Sequence, residues 1–289
     1  MTRIALPRLV KSELLKIRTT NTWWLFAAGV FLTTALTLFV NCLQAHFVLR
    51  SFDDFARSST GGQDPNTMPP EQLESLRQQW QEQHDVVGQA ANIYTSGQFF
   101  GVLFVSLLAI LLITNEYYHQ TATATFLTTP HRTSVVAGKL VTAMIMAAFF
   151  WAYTFVINAI AGVIFLNAEG YGSQLGEWVV IRAILLNLAA YAIWAVFGIG
   201  IGALIRSQVG ATITTTVVYL IGFFAATIVF QILHATLIKG DWFLTLQVLV
   251  PAIASQIMVS PIKPFPESPP QWVGAVVLIA YGVLAGAIG

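Results

Sequence analysis

The stretch IRAILLNLAAYAIWAVFGIGIGALI, Ile181 to Ile205, decides the fold. Its one charged side chain, Arg182, lies beside its start. In hydrocarbon every backbone N–H and C=O must be satisfied internally, and an apolar run of about 20 residues achieves this as one spanning α-helix. Working outward, five more runs meet the same requirement: Trp23 to Leu43, Ser96 to Asn115, Leu140 to Leu166, Ala211 to His234 and Trp272 to Gly289. Composition agrees, because 56% of the 289 residues are hydrophobic and only 9% are charged, against about 25% charged in a soluble domain. An ordinary soluble fold is excluded. The runs are long rather than short and alternating, which favours helices over a barrel. The expectation is an all-α integral membrane protein with six transmembrane helices in a single domain, 1–289.

A further apolar stretch, Trp242 to Val259, is interrupted by Pro251 and followed by the proline-rich Pro261 to Pro270. The region 241–271 is read as a re-entrant or interfacial external segment before the last helix. Met1 to Asn21 is basic, but the apolar run after it is too long for a signal-peptide core and lacks a small-residue cleavage site. It is read as leading into a retained first span. The last span stops at Gly289 with no basic flank, so the natural chain is expected to continue.

Lysine and arginine gather on the cytoplasmic side of short flanks. With the N-terminus inside, that side collects Arg3, Arg8, Lys11, Lys16, Arg18, Arg132, Lys139 and Arg206, opposed by only Glu13 and Glu116. The other side collects Asp53, Asp54, Asp64, Glu71, Glu74, Glu82 and Asp85 in the first loop, and Glu169, Glu177, Asp241 and Glu267 later. Both termini are expected in the cytoplasm. The largest external loop, 44–95, is irregular from Ser58 to Pro70. From Glu71 to Val87 it places Leu73, Leu76, Trp80 and Val87 at helical spacing, predicting an external amphipathic helix. That helix is either solvated or engaged in gating or partner contact.

Catalytic signatures are absent from the sequence. There is no G-x-x-x-x-G-K-[ST] loop to hold ATP phosphates and no H-E-x-x-H. The histidines His46, His84, His119, His131 and His234 are scattered, and Cys42 is the single cysteine. No catalytic residue, metal ligand or cofactor-binding residue is expected in this chain, and a net charge of +1 gives no ground for nucleic-acid binding. The span interiors hold essentially no ionisable groups, which argues against an ion-coupled carrier. Arg182 can snorkel to the interface. Asn158 and Asn187 are read as interhelical hydrogen-bonding groups or as lining of a pathway for an amphipathic or apolar solute. Gly198 and Gly202 form a G-x-x-x-G pair, which serves either packing within the bundle or a dimer seam.

The N-terminal region 1–22 is read as an interfacial helix, with Leu6, Val10, Leu14 and Ile17 on one side and Arg8, Lys11 and Arg18 on another. Glu13 falls on the apolar side, where a lone carboxylate is desolvated unless paired. It either pairs with Lys16, three residues on, or contacts a polar group on another cytoplasmic element. The first cytoplasmic connector, 116–139, runs Asn115-Glu116-Tyr117-Tyr118-His119-Gln120-Thr121, then Thr125-Phe126-Leu127-Thr128-Thr129-Pro130-His131-Arg132, to Gly138-Lys139. Phe126 and Leu127 presented among threonines suggest docking onto another protein.

On these residues the chain resembles the type-2 ABC exporter permeases, especially their actinobacterial members. Ser12-Glu13-Leu14-Leu15-Lys16-Ile17-Arg18-Thr19-Thr20 with Trp23-Trp24 is similar to the family's opening helix. Asn115-Glu116-Tyr117, Thr121, Thr129-Pro130-His131-Arg132 and Lys139 resemble its loop between spans two and three, and the segment around Pro251 resembles its re-entrant external helices. The resemblance implies a multi-pass subunit of the cell membrane, paired with a second permease copy, identical or related, within membrane lipid. A cytoplasmic ABC ATPase dimer would carry the ATP and Mg. Glu13, Lys16 and Arg18 would belong to an interfacial gate helix. Glu116, Tyr117, His119, Thr121, Phe126, Thr129, Pro130 and Arg132 would form the coupling region facing the ATPase. The cargo implied is an amphipathic or lipidic compound such as a lipid, antibiotic, peptide or drug, moved outward. A self-contained secondary carrier of a hydrophobic solute is the alternative, and an intramembrane enzyme lacks the cluster of acids and histidines it would need. The chain departs from the family pattern in its missing basic C-terminal tail and its long first external loop.

Overall fold

A computed structural model describes residues 6–20, 22–120, 132–240, 242–263 and 268–288. Every regular element among them is helical. Helix α1 (Leu6–Thr19) precedes the first span, α2 (Thr22–Val48). Three short helices follow, α3 (Phe52–Ser59), α4 (Pro70–Gln83) and α5 (Val86–Tyr94), before the second span, α6 (Gln98–Tyr118). The remaining spans are α7 (Arg132–Ala168), α8 (Trp178–Ile205), α9 (Gln208–Thr236) and α12 (Gln271–Ile288). Between α9 and α12 lie α10 (Trp242–Thr245), a 3-10 turn (Leu246–Leu249) and α11 (Pro251–Val259). Six helices are long and apolar enough to cross a membrane. The end of the bundle that carries α1 is called the α1 face.

The spans differ in how they bury themselves. α6 is buried on nearly every side, packed against α8 most extensively and against α7, α2 and α9. By contrast α9 buries only Ala211, Thr215 and Tyr219, and α12 only Gly274, Leu278 and Gly282. Each set recurs every fourth residue, a single stripe turned to the core. The opposite sides carry exposed apolar residues such as Ile213, Val218, Ile221 and Ile228 of α9 and Val276, Val283 and Leu284 of α12, as suits a surface solvated by hydrocarbon.

Glycines set the closest contacts. A Cβ on Gly198 would lie 2.3 Å from the Ser106 carbonyl oxygen, and one on Gly202 would lie 3.1 Å from that of Ile110, so the pair lets α8 meet the α6 backbone within one chain. Between them Gly200 faces the other way, where a Cβ would come within 2.3 Å of Ala285 in α12. At the α8–α9 turn, Arg206 adopts a left-handed φ of 53°. Ser207 then accepts a hydrogen bond from the Gly210 N–H at 3.2 Å and caps α9.

The segment interrupted by Pro251 is sharply bent: the piece Trp242–Leu249 and α11 meet at 102°. Pro251 occupies the first turn of α11, where its missing N–H costs nothing. At nine residues α11 is about 13 Å long, too short to cross hydrocarbon. It is nevertheless buried along its length. Gly274 lets α12 approach it, since a Cβ there would lie 2.5 Å from the Ala254 carbonyl oxygen.

The expected external helix from Glu71 to Val87 is two helices. α4 ends at Gln83, and Asp85 starts α5 by accepting a hydrogen bond from the Gly88 N–H at 2.8 Å. Val87 therefore lies on α5, which packs among α2, α7 and α8 instead of standing in a loop. Leu76 is buried with Ala56, Met68, Phe52 and Phe55 in a small separate core. Trp80 donates its indole N–H to the Arg50 carbonyl at 3.0 Å.

Candidate functional site

On α1 the half-buried residues Val10, Leu14 and Ile17 flank a buried carboxylate, Glu13, in the middle of the packed stripe. Leu6 and Leu15 are exposed, as are Arg8, Lys11 and Arg18. α1 rests on α7 at Gly138, where a Cβ would sit 3.3 Å from the Leu9 Cβ. This seating brings Glu13 to the start of α7 and the end of α6.

Four charges meet there. Lys139 of α7, only 3% exposed, reaches Glu13 Oε2 at 3.2 Å and Glu116 Oε1 of α6 at 2.9 Å. It also donates to the Leu112 carbonyl at 2.9 Å. An ammonium has three donors, and here each has an acceptor. Lys16, whose side chain is more exposed, bridges the same acids, at 2.6 Å to Glu13 Oε1 and 3.4 Å to Glu116 Oε1. The cluster is neutral in sum, two carboxylates against two ammoniums, so neither acid is left as an unpaired buried charge. Burial alone would lower the pKa of Lys16, but the Glu13 hydrogen bond and charge, and then Glu116, outweigh it and hold that pKa above 10.5.

The two alternatives for Glu13 both hold: it pairs locally with Lys16 and reaches Lys139 on another element. Beside the cluster, a crevice of about 340 Å³ opens between α1 and α6. Ile17, Leu108, Leu111 and Leu112 line it, with Asn115, Glu116 and His119 among its polar groups. Tyr117 and His119 are exposed at the end of α6, and Arg132 opens α7. Thr121, Phe126, Thr129 and Pro130 lie outside the described residues. The carboxylates and ammoniums satisfy one another, and through them α1, α6 and α7 are joined.

Lys139 is the residue that sequence reasoning under-read, as one more basic flank at the end of the connector. The usable signal was the pairing problem: Glu13 and Glu116 were the only acids set against the basic flanks of that face. The other candidates sit elsewhere. Asn158 of α7 is fully buried and donates to the Ser96 carbonyl at 2.8 Å and the Tyr94 carbonyl at 3.3 Å. Asn187 is 3% exposed and its Oδ1 has no partner. Gly198 and Gly202 form the α6–α8 seam described above.

The bonds of Asn158 satisfy a break in the second membrane segment that the sequence did not reveal. α5 ends at Tyr94, and Gly97 starts α6 with a left-handed φ of 82°. Any Cβ on Gly97 would also meet the Thr34 hydroxyl at 2.4 Å. The break is held by Asn41, donating to Ser96 Oγ at 2.8 Å, and by Gln98, donating to Ser255 Oγ at 2.8 Å and to the Ser255 carbonyl at 3.1 Å. Trp194 donates to the same Ser255 hydroxyl at 3.3 Å. A polar chamber of about 360 Å³ adjoins it, bounded by α2, the break and the end of α11. Gly97 and Glu116 lie at opposite ends of α6, about 30 Å apart along its axis, one hydrocarbon thickness.

This architecture defines a polytopic helical membrane protein with a sharply bent helix pair before its last span and a buried ionic tie at one face. Residues 9–223 match the family described as ABC-2 family transporter protein, and the chain belongs to that family. It is therefore a membrane subunit of the ABC-2 transporter type. No curated protein and no solved structure matches it.

Proposed function

We propose that this chain is the permease of an ATP-driven exporter, with the α1 face in the cytoplasm and the connector 121–131 seated on a separate ABC ATPase. The observation that carries the reading is the position of Lys139 between Glu13 and Glu116. The connector leaves α6 just after Glu116 and enters α7 shortly before Lys139. A displacement imposed on it by the ATPase reaches both helices at the point where α1 is clamped to them. α1, α6 and α7 then move as one lever, and α6 carries the motion to the break at Gly97 on the opposite side.

ATP and Mg are held by the partner ATPase, and two permeases, identical or related, face each other in the membrane. The exposed apolar sides of α2, α9 and α12 offer surface for lipid and for the second copy. An amphipathic compound suits a protein whose crevice at the α1 face has apolar walls and a charged rim. The test is Lys139→Met in the purified permease–ATPase complex. The ATPase should stay bound, because the connector is unchanged, while its stimulation by the permease falls severalfold. Stimulation equal to that of the unaltered complex would contradict the lever.

A further inference from the structure

We propose that the chamber at the α5–α6 break is a binding site for the anionic headgroup of an amphiphile. Most polar groups at the break are engaged with one another, but three side chains that line the chamber are not. Gln44 of α2, Gln256 of α11 and Lys263 beyond it line the cavity, Gln44 and Lys263 exposed and Gln256 half-buried, and none makes a hydrogen bond or ion pair among the described residues. Lys263 is the one charged group among the described lining residues, and no carboxylate is among them. A site offering one ammonium and two free amides, with no fixed negative charge, favours a ligand that brings oxygen acceptors and negative charge. Its volume of about 360 Å³ admits a phosphate ester headgroup.

The chamber has an aromatic wall on its apolar side. Phe99 lines the chamber, and its ring lies 5.0 Å from that of Tyr219, whose hydroxyl donates to the Phe99 carbonyl at 2.7 Å. Tyr219 in turn lines an apolar pocket of about 90 Å³ between α8, α9 and the start of α11. One aromatic pair thus closes the polar chamber off from an apolar pocket, so the site holds the headgroup and leaves the tail outside. The break lies at the end of α6 opposite Glu116, and the groups it leaves outside a helix, Thr95, Ser96 and Gly97, line the chamber. This inference deepens the permease reading and rests on it for its place in transport, but binding is measured without ATP or a partner, so the two can fail separately.

The experiment uses the full chain, delipidated in detergent and titrated with dioleoylphosphatidylglycerol or dioleoylphosphatidylcholine, with binding followed by native mass spectrometry. The anionic lipid should bind about tenfold more tightly than the zwitterionic one. Lys263→Gln should reduce it to the level of phosphatidylcholine, and Gln256→Leu should weaken it severalfold. Both side chains are unpaired, so unchanged thermal unfolding of the variants keeps the comparison valid. Displacement by millimolar inorganic phosphate would mark the free anion as the recognised species, and its failure to displace would mark the lipid headgroup. Equal binding of the two lipids, or full anionic binding by Lys263→Gln, would overturn the proposal.

Discussion

Lys139 of α7 and Glu116 of α6 lie 2.9 Å apart, joining the two helices that the connector links. Neither side chain is more than a tenth exposed. The pair is completed from outside its own hairpin, by Glu13 of α1. Several measurable consequences come from this closed set of charges.

Lys139→Met removes the central cation and leaves two carboxylates sharing Lys16 alone. Breaking a buried ion pair from one side costs about 3–5 kcal/mol, and the lower end applies because Lys16 still reaches both acids. Adding Glu116→Gln should recover part of the loss, so the two substitutions should couple by more than about 1 kcal/mol in a double-mutant cycle. Thermal unfolding in detergent measures it, and strict additivity would disprove the contact's importance.

The contribution of Lys16 has a defined pH dependence. Its folded pKa is raised above 10.5 by its two acidic neighbours despite partial burial. A raised pKa supplies stability that is fully present below the unfolded value and is lost as pH rises through the folded one. Lys16→Met should therefore be less stable than the unaltered chain at neutral pH, with the gap closing on the alkaline side of 10.5. A gap independent of pH would contradict the ion pairing.

Glycine substitutions in α8 should separate by backbone proximity. Gly198→Ala and Gly200→Ala each drive a methyl to within 2.3 Å of a neighbouring helix's backbone, and overpacking of this kind costs about 1–3 kcal/mol. Gly202→Ala meets its nearest atom at 3.1 Å and should cost less. Ranking the three by melting temperature checks the seams, and equal losses would contradict them.

The two buried asparagines should behave differently. Asn158→Leu abandons two carbonyls at the α5–α6 break, at a cost of about 1–3 kcal/mol each when left unsatisfied. The Oδ1 of each is buried without a partner, but Asn187 donates no hydrogen bond among the described residues to offset it, so Asn187→Leu should be neutral or stabilising. Melting temperatures of the two variants decide it.

Much of this was legible in the sequence, and what was not has physical causes. The crossings were readable because hydrocarbon demands long apolar runs, and Pro251 marked the bend before α12. The buried helix α5 ahead of the second span was not, because Thr95, Ser96 and Gly97 look like the polar edge of a span with only loop before it. Only the structure places Asn41, Asn158 and Gln98, from separate segments, around that break. Glu13 was conspicuous as a carboxylate on an apolar helix face, but Lys139 was not, since a lysine at a span's basic end resembles any other flank. Long-range pairing decides its role, and the partners are 126 residues apart in sequence.

The central claim is that this chain works as the permease to a separate ATPase through the connector between α6 and α7. It is tested most directly by purifying the tagged chain from its native membrane in mild detergent, identifying what accompanies it and assaying ATP hydrolysis. The account predicts a P-loop ATPase in near-equal amount, lost when residues 121–132 are deleted. Recovery of the chain without an ATPase, or an ATPase retained after that deletion, would contradict it.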